Sequence, residues 1–139
     1  MTMAYWATTG NNIKFPSYLI KMVRNLKYVI ILSNYDYNLT YIHNLLKELN
    51  LKSKIVENSK SIENEMGTIL LINYNKNFNK ILSKTNINTI ILNEPYYYKD
   101  EIDKKEKYYS IINCLGKKID IYSLVIENSI EEEFLFDVT

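Results

Sequence analysis

Three unbroken apolar runs constrain this chain more than any other feature. They read Tyr28-Val-Ile-Ile-Leu-Ser-Asn34, Thr68-Ile-Leu-Leu-Ile-Asn73 and Thr89-Ile-Ile-Leu-Asn93, and each ends on an asparagine. A shorter segment, Tyr5-Trp-Ala-Thr-Thr-Gly-Asn11, opens the chain in the same manner. Short continuous runs of β-branched residues suit strands covered on both faces, as in a parallel sheet. If they are parallel, their polar ends share one sheet edge, the edge where open α/β folds bind ligands.

Between the runs lie segments of helical period. Pro16, Leu19, Ile20, Val23 and Leu26 predict a helix over 16–26, with proline in the first turn. Leu39, Ile42, Leu46 and Leu49 predict a second, capped by Asn38 and ended near Asn50. Shorter helical pieces are expected around Ile62 and over 78–82, and a longer one over 104–115 closed by Gly116. Ser129 and Glu132 form a capping-box pair, so a last helix is expected from Ile130, with a strand over 134–138 as the alternative. Strands are expected over 3–8, 27–33, 54–57, 68–74, 87–93 and 119–126. The alternation predicts an α/β fold with a mostly parallel sheet of about 5–6 strands and helices on both faces.

The 139 residues are expected to form one domain over 1–139. The chain holds 20 Ile, 18 Asn, 16 Lys and 13 Tyr, no Gln, and Arg24 as its one Arg. These abundant residues have AT-rich codons, so an AT-rich virus, plasmid or microbe is the expected source. Net charge is +1, which demands neither nucleic acid nor membrane. Its distribution is uneven: residues 1–60 carry a net of +5 and residues 61–139 a net of −4. Cys114 is alone, which excludes an internal disulfide or a cysteine-based zinc site and suits a reducing compartment. No signal-peptide pattern opens the chain and no run approaches a membrane span, so the expected location is cytoplasmic, the host cytoplasm if viral.

Candidate chemistry clusters at the expected strand ends. Asn11, Asn12, Asn34, Asn73 and Asn93 offer paired donors and acceptors for a nucleotide-type ligand, but asparagine is also an ordinary turn residue. Asp36 and Glu94 are the candidate acid and base for a hydrolase or nuclease, against a reading as solvated turn acids. No set of residues has metal-ligand spacing, and no cofactor is expected. His43 reads as a partly exposed helix residue and Cys114 as an inert thiol among Ile111, Ile112 and Leu115. Tyr96-Tyr-Tyr98 and Glu131-Glu-Glu133 are candidate interaction surfaces, with a packed loop and a solvated helix start as the plainer readings.

From residue 27 onward the chain resembles the second RecA-like lobe of superfamily-two helicases, in its Snf-type translocase form. The resemblance covers 27–134, implies a RecA-like or Rossmann-like fold, and rests on five stretches, one of them Thr68-Ile-Leu-Leu-Ile-Asn73, similar to the strand before the family's glycine-rich loop. Val29-Ile-Ile-Leu-Ser-Asn-Tyr35 is similar to the strand that opens that lobe. Asn88-Thr-Ile-Ile-Leu-Asn-Glu-Pro95 is similar to its strand ending in an acid and a proline. Leu115-Gly-Lys-Lys-Ile-Asp-Ile-Tyr-Ser-Leu-Val125 resembles the stretch after its arginine motif, and Asn128-Ser-Ile-Glu-Glu132 the turn before its closing helix. The departures concern chemistry. The family's glycine-rich loop is here Tyr74-Asn-Lys-Asn-Phe-Asn79, and its two arginines fall near Ile111 and Cys114. The resemblance therefore implies a degenerate lobe without ATPase chemistry. Its expected role is an accessory subunit with a protein partner in replication or transcription machinery. Nucleic-acid contact and a homodimer are left open; a membrane partner is not expected. The opening Ala7-Thr-Thr-Gly-Asn-Asn-Ile-Lys14 is also similar to inosine triphosphate pyrophosphatases, whose later acidic motifs have no counterpart here.

Overall fold

A computed structural model gives the fold; it describes residues 2–8, 20, 23, 28–57, 67–76, 87, 89–112 and 120–126. Six strands form one sheet: β1 (Thr2–Thr8), β2 (Val29–Ser33), β3 (Ser53–Ile55), β4 (Ile69–Asn73), β5 (Thr89–Leu92) and β6 (Asp120–Ile126). Their order across the sheet is β1-β6-β5-β2-β4-β3, and every neighbouring pair is parallel. The expected α/β architecture is therefore present, and its sheet is wholly rather than mostly parallel.

Two helices are described in full, α1 (Asp36–Glu48) and α2 (Glu101–Ile112). The central strands have no solvent face, which explains their unbroken apolar sequence. Val29, Ile31, Leu71 and Ile91 pack on one side with Leu39, Ile42 and Leu46 of α1. Ile30, Leu32, Leu70, Ile72, Ile90 and Leu92 pack on the other with Ile111 of α2. The side-chain period of two along each strand sends alternate residues to the two cores. After β2 the chain moves through α1 towards β3; after β5 it moves through α2 the opposite way, to β6. Right-handed crossovers leaving in opposite directions must lie on opposite faces, as these helices do.

Helix boundaries differ from the expectation at both N-termini. Asn38 does not cap α1: the helix begins at Asp36 behind Tyr35, with no side-chain cap, and Asn38 sits in the first turn. Its amide is spent instead on Ser33 and Glu94. At the other end Asn50 does close the turn, with φ of 60°, and the Leu51 N–H donates back to the Leu46 carbonyl at 2.9 Å. Helix α2 begins at Glu101, three residues before the expected start. The missed signal is Asp100, whose Oδ1 accepts the Asp103 N–H at 2.8 Å while Asp103 Oδ2 accepts the Lys99 N–H at 2.9 Å. This reciprocal pair satisfies first-turn amides much as a capping box does.

Ile20 and Val23 are helical, and Val23 joins the α1-side core. The remainder of the helix over 16–26 lies outside the described residues. So do the pieces near Ile62 and over 78–82, Gly116, Cys114, and the segment from Ile130.

Leu46 has no exposed surface, whereas Tyr41 on the same helix is 58% exposed. Leu46→Ala is expected to lower unfolding stability by about 2–5 kcal/mol. Tyr41→Ala is expected to stay within about 0.5 kcal/mol of the parent, since surface changes rarely cost more. Urea denaturation of both variants checks this.

Candidate functional site

The strand order fixes where a site would form. Strands β2 and β5 are neighbours, but the chain leaves them in opposite directions and on opposite faces. A crevice then opens between their C-terminal ends, the topological switch point where ligands bind in open α/β sheets. The register brings the polar ends to one level. Ser33 pairs with Asn73, and Leu32 pairs with Leu92, so Asn93 follows directly beside Ser33. Strands β1 and β6 continue past that level, from Tyr5 to Thr8 and from Ser123 to Ile126.

Four of the expected site residues meet at this crevice: Asn34, Asn73, Asn93 and Glu94. The centre is Glu94, which is only 5% exposed. Its Oε1 accepts a short hydrogen bond from the Ser33 hydroxyl and another from the Asn34 N–H at 2.6 Å. Its Oε2 accepts from Asn93 Nδ2 at 2.7 Å and from Asn38 Nδ2 at 3.3 Å. An ionised carboxylate has about four lone-pair positions. Four donors from β2, β5 and α1 therefore fill them.

The asparagines spend themselves in the same way. Asn34 Nδ2 donates to the Pro95 carbonyl at 2.7 Å, and its Oδ1 accepts the Tyr97 N–H at 3.1 Å. One side chain thus clamps the loop after β5 at two points. Asn73 Nδ2 donates to Asp36 Oδ1 at 2.9 Å and to the Asn34 carbonyl at 3.3 Å, while its Oδ1 accepts the Asn75 N–H at 3.0 Å. Asp36 is exposed on the first turn of α1, with one oxygen held by Asn73. The crevice is bridged by protein groups from side to side.

The loop after β5 continues this packing. Tyr74, 1% exposed, donates its hydroxyl to the Glu94 carbonyl at 2.7 Å, and its ring tilts against Tyr96 at 5.3 Å. Tyr96 donates to Asp103 at 2.8 Å, and Lys107 Nζ lies 5.2 Å from the Tyr96 ring centre and donates to the Tyr74 carbonyl. Burial, then the Asp103 hydrogen bond and charge, push the Tyr96 phenol up to about 12. The Lys99 N–H, with smaller help from Tyr96 and from Lys107 and Lys99, holds the Asp103 carboxyl below its usual value. Burial lowers Lys107.

Tyr96, Tyr97 and Tyr98 are all half-buried. Lys104 lies 5.2 Å from the Tyr98 ring centre, and Tyr97 meets Tyr35 at 6.0 Å. The exposed tyrosines beside them are others: Tyr35 at 41%, Tyr37 at 67% and Tyr41 at 58%, with the Tyr35 and Tyr37 rings stacked 5.1 Å apart. Each is a single tyrosine in the sequence rather than part of a run, and the i, i+4 spacing of Tyr37 and Tyr41 puts those two on one face of α1. His43 is partly exposed on α1, as expected, and its Nδ1 lies 2.7 Å from Ser53 Oγ. Asn11, Asn12, Glu131, Glu132 and Glu133 lie outside the described residues. Among the described residues no group of three or more His, Cys, Asp or Glu could hold a metal, and no helix is long and apolar enough to cross a membrane.

Two predictions come from this geometry. Glu94→Gln replaces acceptors by an amide with two hydrogens, which must face donors already present. It is expected to cost about 2–4 kcal/mol of stability, read by denaturant unfolding; a loss under about 0.5 kcal/mol would contradict the network. Asp103 has a lowered value in the folded state, so its contribution is present above the unfolded carboxyl value near 4 and lost as pH falls through the folded one. The stability gap between the parent and Asp103→Asn is therefore expected to be constant near neutrality and to close below about pH 4.

No protein-family model and no curated protein sequence matches the chain. Solved structures do. The fold is similar to the C-terminal part of the Fun30 ATPase domain, with a TM-score of 0.54 and 15% identity, over 85% of this chain and 43% of that one. It is also similar to the Pyrococcus furiosus Hef helicase domain, with a TM-score of 0.59 and 12% identity, over 88% of this chain and 26% of that one. This chain thus spans less than half the length of either structure. What is shared at such identity is architecture: the chain has the α/β, RecA-like fold found in these helicase domains.

Proposed function

We propose that this chain is a RecA-like domain of the helicase C-terminal type that has kept the fold without the ATPase chemistry. It serves as an interaction subunit in nucleic-acid machinery, replication or transcription, of a virus or another AT-rich element. The observation that carries the reading is the closed crevice. At the switch point, where a nucleotide would need open backbone amides and free side chains, Glu94 is saturated by Ser33, Asn34, Asn38 and Asn93. A carboxylate with its lone pairs engaged is a poor general base, which also weighs against a hydrolase built on Glu94.

A second observation supports the same reading. Ile111 falls near one of the family's arginines, and it is 2% exposed inside the α2-side core. An arginine there would have to bury its charge among Leu92, Ile90 and Tyr74, so that position now belongs to packing. The interaction surface is assigned to the tyrosines at the sheet edge. Tyr35, Tyr37 and Tyr41 supply exposed ring area, with Tyr35 beside Tyr97 of the half-buried loop, and aromatic rings of this kind are enriched at protein interfaces. The acidic Glu131-Glu-Glu133 segment is a further candidate contact for a basic partner.

A nucleotide-type ligand at the strand ends is the second reading. It is favoured by a hollow of 400 Å³ between α1 and the ends of β3 and β4, lined by Asp36, Thr40, Val56, Glu57, Asn73 and Lys76 among others. Two acids and one lysine there suit ribose hydroxyls better than a polyphosphate. A thermal-shift panel of nucleotides and nucleosides tests it: no stabilisation by any member excludes it.

The main reading is tested by two measurements on the purified chain. ATP turnover, with and without DNA or RNA, is expected at the level of a no-enzyme blank. Affinity capture from the source cells is expected to bring down a replication or transcription protein, with capture reduced at least about tenfold by Tyr37→Ala with Tyr41→Ala. ATP hydrolysis that Glu94→Gln abolishes would overturn it, as would capture unaffected by the tyrosine pair.

A further inference from the structure

A basic hollow lies at the other end of the sheet from the closed crevice. It measures 610 Å³ and is lined by His43, Lys47, Asn50, Leu51, Lys52, Ser53, Lys54 and Thr68. Four different pieces of chain build it. Helix α1 ends there and brings His43 and Lys47; the turn at Asn50, held by its positive φ, carries the chain round; edge strand β3 brings Lys52, Ser53 and Lys54. Thr68 closes it just before β4, where Ser53 pairs with Ile69.

The chemistry of this lining is one-sided. Among the described residues it holds three of the eight basic residues of the first 60, with a histidine, and no carboxylate. Glu48 follows Lys47 in sequence but is not part of the lining. Each lysine has a plain role taken alone. Lys47 complements the C-terminal end of α1, and lysines beside an edge strand discourage edge-to-edge pairing. Those roles do not require that Lys47 share one hollow with Lys52, Lys54 and His43. The convergence is made by the tight turn at Asn50, which folds the end of α1 back against β3.

We propose that this hollow binds the sugar–phosphate backbone of a nucleic acid strand. Several lysines spread over an open surface match a row of phosphates better than one enclosed anion, because each is a point charge on a flexible stem. Asn50, Ser53 and Thr68 add hydroxyl and amide donors of the kind that contact phosphate and sugar. Leu51 is half-buried and none of the described lining residues is aromatic, so the lysines rather than a stacking platform carry recognition, which runs along the backbone without sequence preference. The site is separate from the tyrosine surface. A failed protein capture leaves it standing, and failed nucleic-acid binding leaves the closed-crevice reading standing.

Fluorescence anisotropy with labelled 20-nucleotide single- and double-stranded probes at 50 mM salt tests the proposal. Binding is expected in the non-specific range, about 10⁻⁴–10⁻⁶ M, weakening steeply with salt. Lys47→Glu with Lys52→Glu is expected to weaken it at least about tenfold and to lower the salt slope by about two. Both residues are exposed, and Lys47→Gln with Lys52→Gln, expected to lose less, guards against misfolding of the reversal pair. Lys99→Glu with Lys105→Glu makes the same change in net charge on other exposed positions and is expected to bind like the parent. No binding to any probe, or equal losses from the two reversal pairs, would overturn the proposal. So would displacement of the probe by poly-glutamate as readily as by unlabelled DNA, since an acidic peptide would then be the better occupant.

Discussion

The carboxylate of Glu94 holds together the part of this sheet that its own topology would leave open. Strands β2 and β5 lie side by side, yet their following helices depart on opposite faces, so neither helix covers the gap between their ends. Glu94 fills it from the β5 side and collects donors from β2, from α1 and from its neighbour Asn93. A buried carboxylate is costly unless its acceptors are met. Here they are met by residues from each element bordering the gap, so the cost of burial becomes a condition on how β2, β5 and α1 sit together.

The other polar ends depend on that condition. With the end of β2 fixed, Asn34 can reach across to Pro95 and Tyr97 and set the course of the loop after β5. That course places Tyr96 against Tyr74 and within reach of Asp103, and Asp103 in turn organises the first turn of α2. Helix α2 then delivers Ile111 to the core on its face of the sheet. A path of hydrogen bonds therefore runs from a strand end to the start of a helix. The edge where open α/β folds hold a ligand is used here for internal connection.

The two ends of the sheet differ in character as a result. At the C-terminal ends of the strands, polar groups are turned on one another and the surface offered is aromatic, through Tyr35, Tyr37 and Tyr41. At the opposite end, around the close of α1 and the start of β3, cationic side chains border a hollow whose described lining residues include no carboxylate. The formal charge of +1 conceals this division, because the acids that balance the lysines lie mostly in the second half of the chain.

The apolar runs by themselves determined the parallel sheet. Four or five consecutive β-branched or leucine residues have no polar face to give to water, so both faces had to be covered, and helical segments between the runs supplied the cover. Helical period located α1 through Leu39, Ile42 and Leu46, all of which are buried. The sequence also placed asparagine at the strand ends, but could not say whether those amides were offered to a ligand or to the protein. That choice depended on strand order. Only the tertiary structure put residue 94 beside residue 33, about 60 positions apart in the chain, and set the side chains of Asn34, Asn38 and Asn73 against protein groups. The start of α1 was misplaced for the same reason: Asn38 looks like a local cap, yet a buried carboxylate from a distant strand was the stronger claim on its amide.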